Sequence, residues 1–260
     1  MEVIVLPGPD DVARVAADVV ADVVRRRPDA VLGVATGSSP VGVYAELARR
    51  VTAGDLDLSG VTAFALDEYV GLPDGHPESY AAVVARDVTG PLRLDPARVH
   101  VPDGRAADLE AAAEAYERAI ADAGGIDVQL LGIGANGHVG FNEPTSSFGS
   151  RTRIKTLTAR TRADNARFFA SPEEVPLHCL TQGLGTILEA RRLLLVAQGE
   201  AKADAVAAAV EGPLTSMCPG SALQLHPRAT VVVDEAAAAG LTLLGHYREV
   251  YAAKPAWQRP

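Results

Sequence analysis

One glycine-rich segment contains residue types that can transfer protons. Residues 127–144 run from an apolar stretch into a loop that holds His138 and Glu143. A histidine five residues from a glutamate can pair with it, which gives an imidazole suited to proton transfer near neutral pH. A metal site is disfavoured because no spaced third ligand accompanies these two side chains. The loop predicts acid–base chemistry, although a single loop histidine is more often without a catalytic role.

The glycines of this loop match a dinucleotide-binding spacing but lack its structural context. Gly132, Gly134 and Gly137 fit the G-x-G-x-x-G pattern, in which a helix should begin at once. Here Gly140 weakens a helix and Pro144 removes one of its hydrogen bonds. We therefore expect the glycines to shape a loop that positions the imidazole and the carboxylate.

A second loop, after the apolar residues 31–35, has the composition of an anion site. It contains Thr36, Gly37, Ser38 and Ser39, and Pro40 follows near the first turn of a predicted helix. Backbone N–H groups at a helix start, together with hydroxyls, can bind a phosphate. The alternative is an ordinary hydroxyl cap. No lysine stands where a Walker loop needs it, which argues against a nucleoside triphosphate.

Two further loops carry charged side chains. Asp67 and Glu68 follow the apolar residues 61–66, and since neighbouring side chains point in opposite directions, Asp67 is predicted to face the cleft. Glu68 would then support it or face solvent. Lys202 stands in the first turn of a predicted helix, where a cation is unfavourable without a nearby anion. Together with Arg167 it could hold a phosphate, although each cation alone is more often a solvated surface charge.

The elements that position these loops alternate along the chain. Apolar runs predict strands at residues 3–6, 31–35, 61–66, 128–131, 193–197 and 230–233. Helical periodicity predicts helices at residues 10–27, 41–53, 79–88, 108–123 and 201–210. This alternation indicates an α/β fold, a modified doubly wound and mostly parallel sheet with helices on both faces. Ligands of such sheets bind beyond the carboxyl ends of the strands.

Composition limits the classes of function. The 260 residues, 48% hydrophobic, fit a single domain over residues 1–260, with an irregular, arginine-rich segment at about 157–176 as a candidate lid or surface excursion. The net charge of −9 gives no general attraction to nucleic acid or an anionic membrane. Cys179 and Cys218 lack metal-ligand spacing and are expected to be buried or free thiols. Without a basic n-region or long apolar segment, we expect a cytoplasmic protein.

These loops together resemble glucosamine-6-phosphate deaminases. The resemblance is carried by residues 36–40, 66–72, 132–144, 150–158 and 223–227 and extends from Met1 to about Tyr247. It implies a modified doubly wound fold and conversion of glucosamine 6-phosphate and water into fructose 6-phosphate and ammonium, in amino-sugar catabolism. The family uses neither a metal nor an organic cofactor.

The resemblance also implies roles for individual residues. Asp67 would take the C2 proton and return it at C1, His138 would assist ring opening, and Glu143 would orient His138. The 6-phosphate would be held by the Ser38/Ser39 loop, Arg167 and Lys202. Many members carry aspartate where this chain has Asn136. Because an amide supplies no negative charge, we predict a less stabilised imidazolium and an altered pH profile, with activity retained.

A regulatory site is a further implication of the resemblance. Some members are hexamers activated by N-acetylglucosamine 6-phosphate bound between subunits, and others are unregulated monomers. The residues used there have counterparts in Met1, Ser146, Ser147, Arg153, Lys155 and Tyr247. Alternatively, Arg151, Arg153 and Lys155 form one exposed strand face.

Two alternative functions share this fold. A 6-phosphogluconolactonase would not need residues 67–72 in their present form. A non-catalytic sugar-phosphate sensor should carry a DNA-reading helix-turn-helix segment, and the predicted strand at Val3 leaves no room for one ahead of the domain. Asp67 together with His138 favours catalysis.

Overall fold

The computed structural model describes residues 1–255 and 258, and it is built around a parallel β-sheet. In chain order the strands are β1 (Glu2–Leu6), β2 (Val31–Val34), β3 (Thr62–Ala65), β4 (Asp67–Tyr69), β5 (Val99–His100), β6 (Val128–Leu131), β7 (Arg153–Thr156), β8 (His178–Thr181), β9 (Leu193–Ala197) and β10 (Ala229–Asp234). Within the described residues the main sheet has seven strands, in the order β1-β10-β9-β6-β2-β3-β5, and all its pairs are parallel.

The helices lie between these strands, apart from the last one, which follows β10. They are α1 (Pro9–Arg26), α2 (Ser38–Ala53), α3 (Tyr80–Val84), α4 (Leu109–Asp122), α5 (Ala159–Asn165), α6 (Leu184–Leu188), α7 (Ala203–Val210) and α8 (Leu244–Ala252). The predicted α/β architecture is confirmed. One buried cluster joins α1 and α2 to the sheet, and a second joins α4 and α7 to it. Because both faces of the sheet are covered, its strands are apolar runs without alternation.

The structure also contains a small antiparallel sheet, which the sequence pattern did not predict. Its order is β4-β8-β7, and Asp67 pairs with Thr181 and Tyr69 with Cys179. The segment that begins with Asp67 is therefore a strand and not a loop. Only one residue, Leu66, separates β3 from β4, so the chain passes directly from the carboxyl edge of the main sheet into the second one.

Several predicted boundaries need correction. Helix α2 begins at Ser38, so Ser38 and Ser39 form its first turn. The helix predicted at 79–88 is α-helical only through Val84 and continues as a π-helical turn at Ala85–Thr89. A 3₁₀ turn at Glu200–Lys202 precedes α7, which leaves Lys202 at the N-cap position of that helix. Local hydrogen bonding of this kind leaves no periodic signal in the sequence.

The candidate lid is partly regular. Residues 157–176 contain α5 and 3₁₀ turns at Ala166–Phe168 and Pro172–Glu174. Both predicted free cysteines are buried. A search of the described residues for a helix with the length and apolar character of a membrane span found none.

Candidate active site

The glycine loop folds tightly around the His138 ring. The Gly134 N–H donates to the His138 carbonyl at 2.9 Å, and the Gly137 N–H donates to the Gly134 carbonyl. A Cβ at Gly134 would lie 2.1 Å from the imidazole, so only glycine leaves room for this ring. The glycines therefore place the imidazole, and no helix opens from the loop to bind a dinucleotide.

Asn136 lies between the histidine and the glutamate. Its Oδ1 is 2.7 Å from His138 Nδ1, and its Nδ2 donates to Glu143 Oε2 at 2.7 Å. The His138 and Glu143 side chains are themselves 3.8 Å apart at their nearest charged atoms. The expected direct pairing is thus replaced by an amide bridge. This bridge favours a proton on Nδ1 and leaves Nε2 free for a substrate.

Glu143 is buried and takes hydrogen bonds from two sides. Besides Asn136, the Thr161 hydroxyl of α5 donates to its Oε1. Thr161 belongs to the segment predicted as a lid, so this segment contacts the glycine loop through the Glu143 carboxylate. The residue pattern gave no signal for Thr161, since a threonine in a polar segment is common.

Several charges act on the His138 imidazole. Burial lowers its pKa, Glu143 opposes this effect, and the Lys202 ammonium lowers the pKa further. In α5, the charge of Asp164 raises the pKa of His138, and that of Arg160 lowers it. The net direction is downward, so the imidazole is mostly neutral at physiological pH.

Asp67 is a buried carboxylate without a hydrogen-bond donor. It is 5% exposed, and no described residue donates a hydrogen bond to its oxygens. Burial, followed by the charge of Glu68, raises the pKa of Asp67 to about 8. A Cβ built at Gly140 would lie 3.4 Å from its Oδ2, so this carboxylate packs against the loop that carries His138. Such a group is suited to accept a proton from a bound substrate.

Glu68 is also buried, but its carboxylate accepts several hydrogen bonds. Its carboxylate accepts the N–H groups of Tyr69, Tyr80 and Ala81 at 2.7 to 2.8 Å. Two of these donors belong to the first turn of α3, where a negative charge is stabilising. Glu68 therefore does not face solvent, and its hydrogen bonds join β4 to the start of α3 and do not support Asp67.

The start of α2 is open for an anion. Gly37 has φ +89°, and no side chain caps the helix, so the hydroxyls of Thr36, Ser38 and Ser39 are not used as the ordinary cap. Ser39 lies beside the glycine loop, because its Cβ is 3.7 Å from a Cβ built at Gly132. Uncapped N–H groups at a helix start favour a phosphate.

Lys202 reaches the same edge of the sheet. Its Nζ donates to the Ile133 carbonyl at 2.7 Å, at the start of the glycine loop. Burial lowers the pKa of Lys202, and the next largest cause is the positive charge of Arg167. Arg167 itself is exposed, and its guanidinium lies over the Phe168 ring at 4.7 Å from the ring centroid.

The segment predicted as a lid contacts the second sheet. The Asn165 side chain donates to the Tyr69 hydroxyl at 2.9 Å, and Phe169 packs edge-on against the Tyr69 ring. Arg162 donates to the carbonyls of Val175 and Pro172, which ties the lid to itself. In the described residues no group of three or more His, Cys, Asp or Glu side chains is arranged to hold a metal ion.

The site lies at the carboxyl edge of a parallel sheet, and comparison with known proteins gives its family. The sequence matches the family model described as glucosamine-6-phosphate isomerases/6-phosphogluconolactonase over residues 9–233. The chain belongs to this family. The resemblance stated from the sequence motifs is thereby confirmed.

Relatives within the family are similar along the whole chain. Glucosamine-6-phosphate deaminases of Pseudarthrobacter chlorophenolicus and Streptomyces coelicolor are each 58% identical to it, over 99% of both chains. The solved structure of a monomeric glucosamine-6-phosphate deaminase has a TM-score of 0.90 at 42% identity and covers 92% of this chain and all of its own. A 6-phosphogluconolactonase from Trypanosoma cruzi, at 21% identity and TM-score 0.72, shares the fold.

The six residues predicted for a regulatory site fall into two groups. Arg153 and Ser146 are in contact, with 3.4 Å between Nη2 and Oγ, and burial lowers the pKa of Arg153. Lys155 follows on the same half-buried face of β7, so the prediction of one exposed face of cations is wrong. Arg151, just before the strand, pairs separately with Glu117 and Glu189.

The remaining members of this set are Ser147, which follows Ser146, and the pair Met1 and Tyr247. Ser147 is exposed, and its hydroxyl accepts the Gly149 N–H. Met1 and Tyr247 line a cavity of about 1110 Å³ beside β1 and α8, which none of the other four residues lines. Burial, together with Glu211, raises the pKa of Tyr247 to about 12. Within one chain, therefore, the six residues do not form one site.

Proposed function

We propose that this protein converts glucosamine 6-phosphate and water into fructose 6-phosphate and ammonium, by aldose–ketose isomerisation coupled to deamination. The proposal rests on the Asp67 carboxylate. This buried group accepts no hydrogen bond from the described residues and packs against the loop that carries His138. Relatives named glucosamine-6-phosphate deaminase at 58% identity support it. The reaction belongs to amino-sugar catabolism. We also propose that the reaction takes place in the cytoplasm.

Asp67 acts as the carbon base. In the open-chain substrate it takes the proton from C2, which gives an enolamine, and it returns that proton to C1. The product is a ketimine at C2, to which water adds before ammonium leaves. A carboxylate with a raised pKa is basic enough for this transfer, and its shelter from water keeps the proton available for return.

His138 opens the sugar ring. Its free Nε2 transfers a proton to the ring oxygen, while Asn136 holds Nδ1 and Glu143 holds Asn136. Asn136 is thus a positioning residue. Since no negative charge touches the ring directly, the imidazolium form is less stabilised than it would be beside a carboxylate.

The start of α2, Lys202 and Arg167 hold the 6-phosphate. Thr36, Gly37, Ser38 and Ser39 supply hydroxyls and N–H groups, and the two cations supply charge. Holding the phosphate fixes one face of the sugar towards Asp67. We propose that no metal or organic cofactor takes part, so activity should survive treatment with EDTA.

Release of ammonium and fructose 6-phosphate from glucosamine 6-phosphate tests the function. We expect turnover by the wild type and almost none by Asp67→Asn, with a folded variant confirmed by circular dichroism. Equal rates in both proteins would exclude Asp67 as the base. Hydrolysis of 6-phosphogluconolactone, without ammonium release from the amino sugar, would support the lactonase alternative.

A second sugar-phosphate site is also proposed. Arg153, Lys155, Ser146 and Ser147 would bind the phosphate of N-acetylglucosamine 6-phosphate, and Met1 and Tyr247 of a neighbouring subunit would complete the site. The Arg153 guanidinium supports this, because no described carboxylate pairs with it. Sigmoidal kinetics relieved by the N-acetyl sugar phosphate, from a hexamer by light scattering, would support regulation. Hyperbolic kinetics from a monomer would exclude this regulatory site.

A further inference from the structure

The two side chains proposed for proton transfer belong to different parts of the fold. Asp67 begins β4 in the small sheet, and His138 lies in the glycine loop, residues 132–144. In the described residues no hydrogen bond joins these two side chains. A reaction that uses both groups on one substrate requires a fixed distance between them. Other contacts must therefore hold the loop against the sheet.

The buried Asn142 side chain makes such a contact. It is 0% exposed, and its Nδ2 donates to the Val139 carbonyl at 2.9 Å and to the Gln182 carbonyl at 2.8 Å. Val139 directly follows His138 in the glycine loop, and Gln182 directly follows β8. One amide group thus joins the loop that carries the imidazole to the end of a strand in the small sheet.

Backbone hydrogen bonds continue this connection to Asp67. The Gln182 N–H donates to the Leu66 carbonyl at 2.8 Å, and Leu66 directly precedes Asp67. Thr181, the last residue of β8, pairs with Asp67 across the small sheet. A path of three hydrogen bonds therefore runs from the residue after His138 to the residue before Asp67.

A second contact at the same junction brings the loop over the Asp67 carboxylate. The Phe141 N–H donates to the Thr181 hydroxyl at 3.1 Å. A Cβ built at Gly140 would lie 3.1 Å from Thr181 Oγ1 and 3.4 Å from Asp67 Oδ2. The part of the loop that Asn142 holds is thus the part that covers the carboxylate.

The orientation of the Asn142 amide is determined by its partners. Two carbonyl oxygens face one end of the amide, and only the NH₂ group can donate to both of them. No described residue donates to its Oδ1, and a buried acceptor without a donor lowers stability. The side chain therefore acts through its two N–H groups.

We propose that Asn142 is a positioning residue that holds the His138 loop closed over Asp67, so that the acid and the base keep one spacing and the base is sheltered from water. The kinetic part of this inference rests on the proposed function. A loosened loop would misplace His138 relative to the sugar ring and would let water exchange with the proton that Asp67 carries. The groups proposed to hold the phosphate are not part of this junction.

Gln224 provides a matched control. Its Nε2 also donates to two backbone carbonyls, those of Ala209 and Gly212, at 2.9 and 3.0 Å. These bonds join the 3₁₀ turn at Pro219–Leu225 to α7 and lie on neither the glycine loop nor the small sheet. Gln224→Ala therefore removes the same kind of contact without touching the path between His138 and Asp67.

Turnover of glucosamine 6-phosphate deuterated at C2 tests the proposal. In Asn142→Ala we expect kcat per folded molecule to fall about 10- to 100-fold, with KM within about threefold of wild type. The fraction of deuterium found at C1 of the product should also fall. Asn142→Ser, whose hydroxyl can donate to one carbonyl at most, should be intermediate, and Gln224→Ala should match wild type. A purely structural role would change the folded fraction and leave the transferred fraction as it is.

Hydrogen exchange of the substrate-free proteins, followed by mass spectrometry, tests the junction without any reaction. Peptides covering residues 132–144 should exchange faster in Asn142→Ala than in wild type, whereas peptides covering β9 and β10 should not change. A wild type without deaminase activity would contradict the proposed function, and the exchange result would still decide whether Asn142 holds the loop. Unchanged exchange of the loop, deuterium transfer equal to wild type in Asn142→Ala, or equal losses in Gln224→Ala would overturn the proposal.

Discussion

Asp67 and Glu68 are adjacent carboxylates on one short strand, both buried, yet their surroundings differ completely. Glu68 accepts three backbone N–H groups, and Asp67 accepts no hydrogen bond from the described residues. Burial raises the pKa of both groups, but for Glu68 the three donors oppose that rise. Hydrogen bonding, more than burial, thus separates a carboxylate that anchors a helix from one that remains basic.

The largest effect is expected from removing the base. Asp67→Asn keeps the shape of the side chain but cannot accept a proton, so kcat should fall about 10³-fold. Steady-state ammonium release measures this. Glu68→Gln is the matched control, and its kcat per folded molecule should stay within about threefold of wild type. A comparable loss in both variants would mean that the two carboxylates do not differ in role.

Glu68→Gln, which should keep its activity, is expected to lose stability. Glu68→Gln places an amide where two N–H groups of α3 need an acceptor, which should lower the free energy of unfolding by about 2–3 kcal/mol. Urea denaturation at pH 7 measures the change. A variant as stable as wild type would show that the three hydrogen bonds are not needed to hold α3.

The difference in stability between wild type and Asp67→Asn should depend on pH. The folded-state pKa of about 8 exceeds the usual value of 3.8, so the folded protein holds this proton more tightly than the unfolded chain does. Wild type should therefore lose stability relative to Asp67→Asn as pH rises from about 4 to about 8, by up to about 6 kcal/mol. Thermal unfolding across this range checks the sign. A pH-independent difference would contradict the raised pKa.

The smallest effect concerns the neutral bridge beside His138. Asn136→Asp adds a charge next to Nδ1, so the acid limb of kcat/KM should move to higher pH and the optimum should rise, by up to about tenfold. Repulsion between the new carboxylate and Glu143, now 2.7 Å from the Asn136 amide, opposes part of this gain. An unchanged profile would show that Asn136 does not limit the imidazolium.

The sequence predicted the main sheet well and the site in part. Strands buried on both faces, such as β9 and β10, leave continuous apolar runs, and the loops after them carry the chemistry. The second sheet was missed because β4 and β7 are short and polar. The contact of Thr161 with Glu143 and the capping by Glu68 depend on distant backbone positions, and no local pattern encodes them.

The roles of Asp67 and His138 followed from resemblance, and the structure adds their surroundings. Spacing alone suggested a direct pair between His138 and Glu143, whereas Asn136 joins them. An asparagine two residues from a histidine is common in loops, so the sequence alone does not indicate that Asn136 bridges His138 and Glu143.

The central claim is that one sheltered carboxylate, Asp67, carries the proton from C2 to C1. Glucosamine 6-phosphate deuterated at C2 tests it most directly, with turnover in ordinary water and NMR analysis of the fructose 6-phosphate formed. We predict that wild type places a substantial fraction of the deuterium at C1, and that this transfer is lost in Asp67→Asn. Complete loss of the label to water in wild type, or equal transfer by Asp67→Asn, would contradict the account.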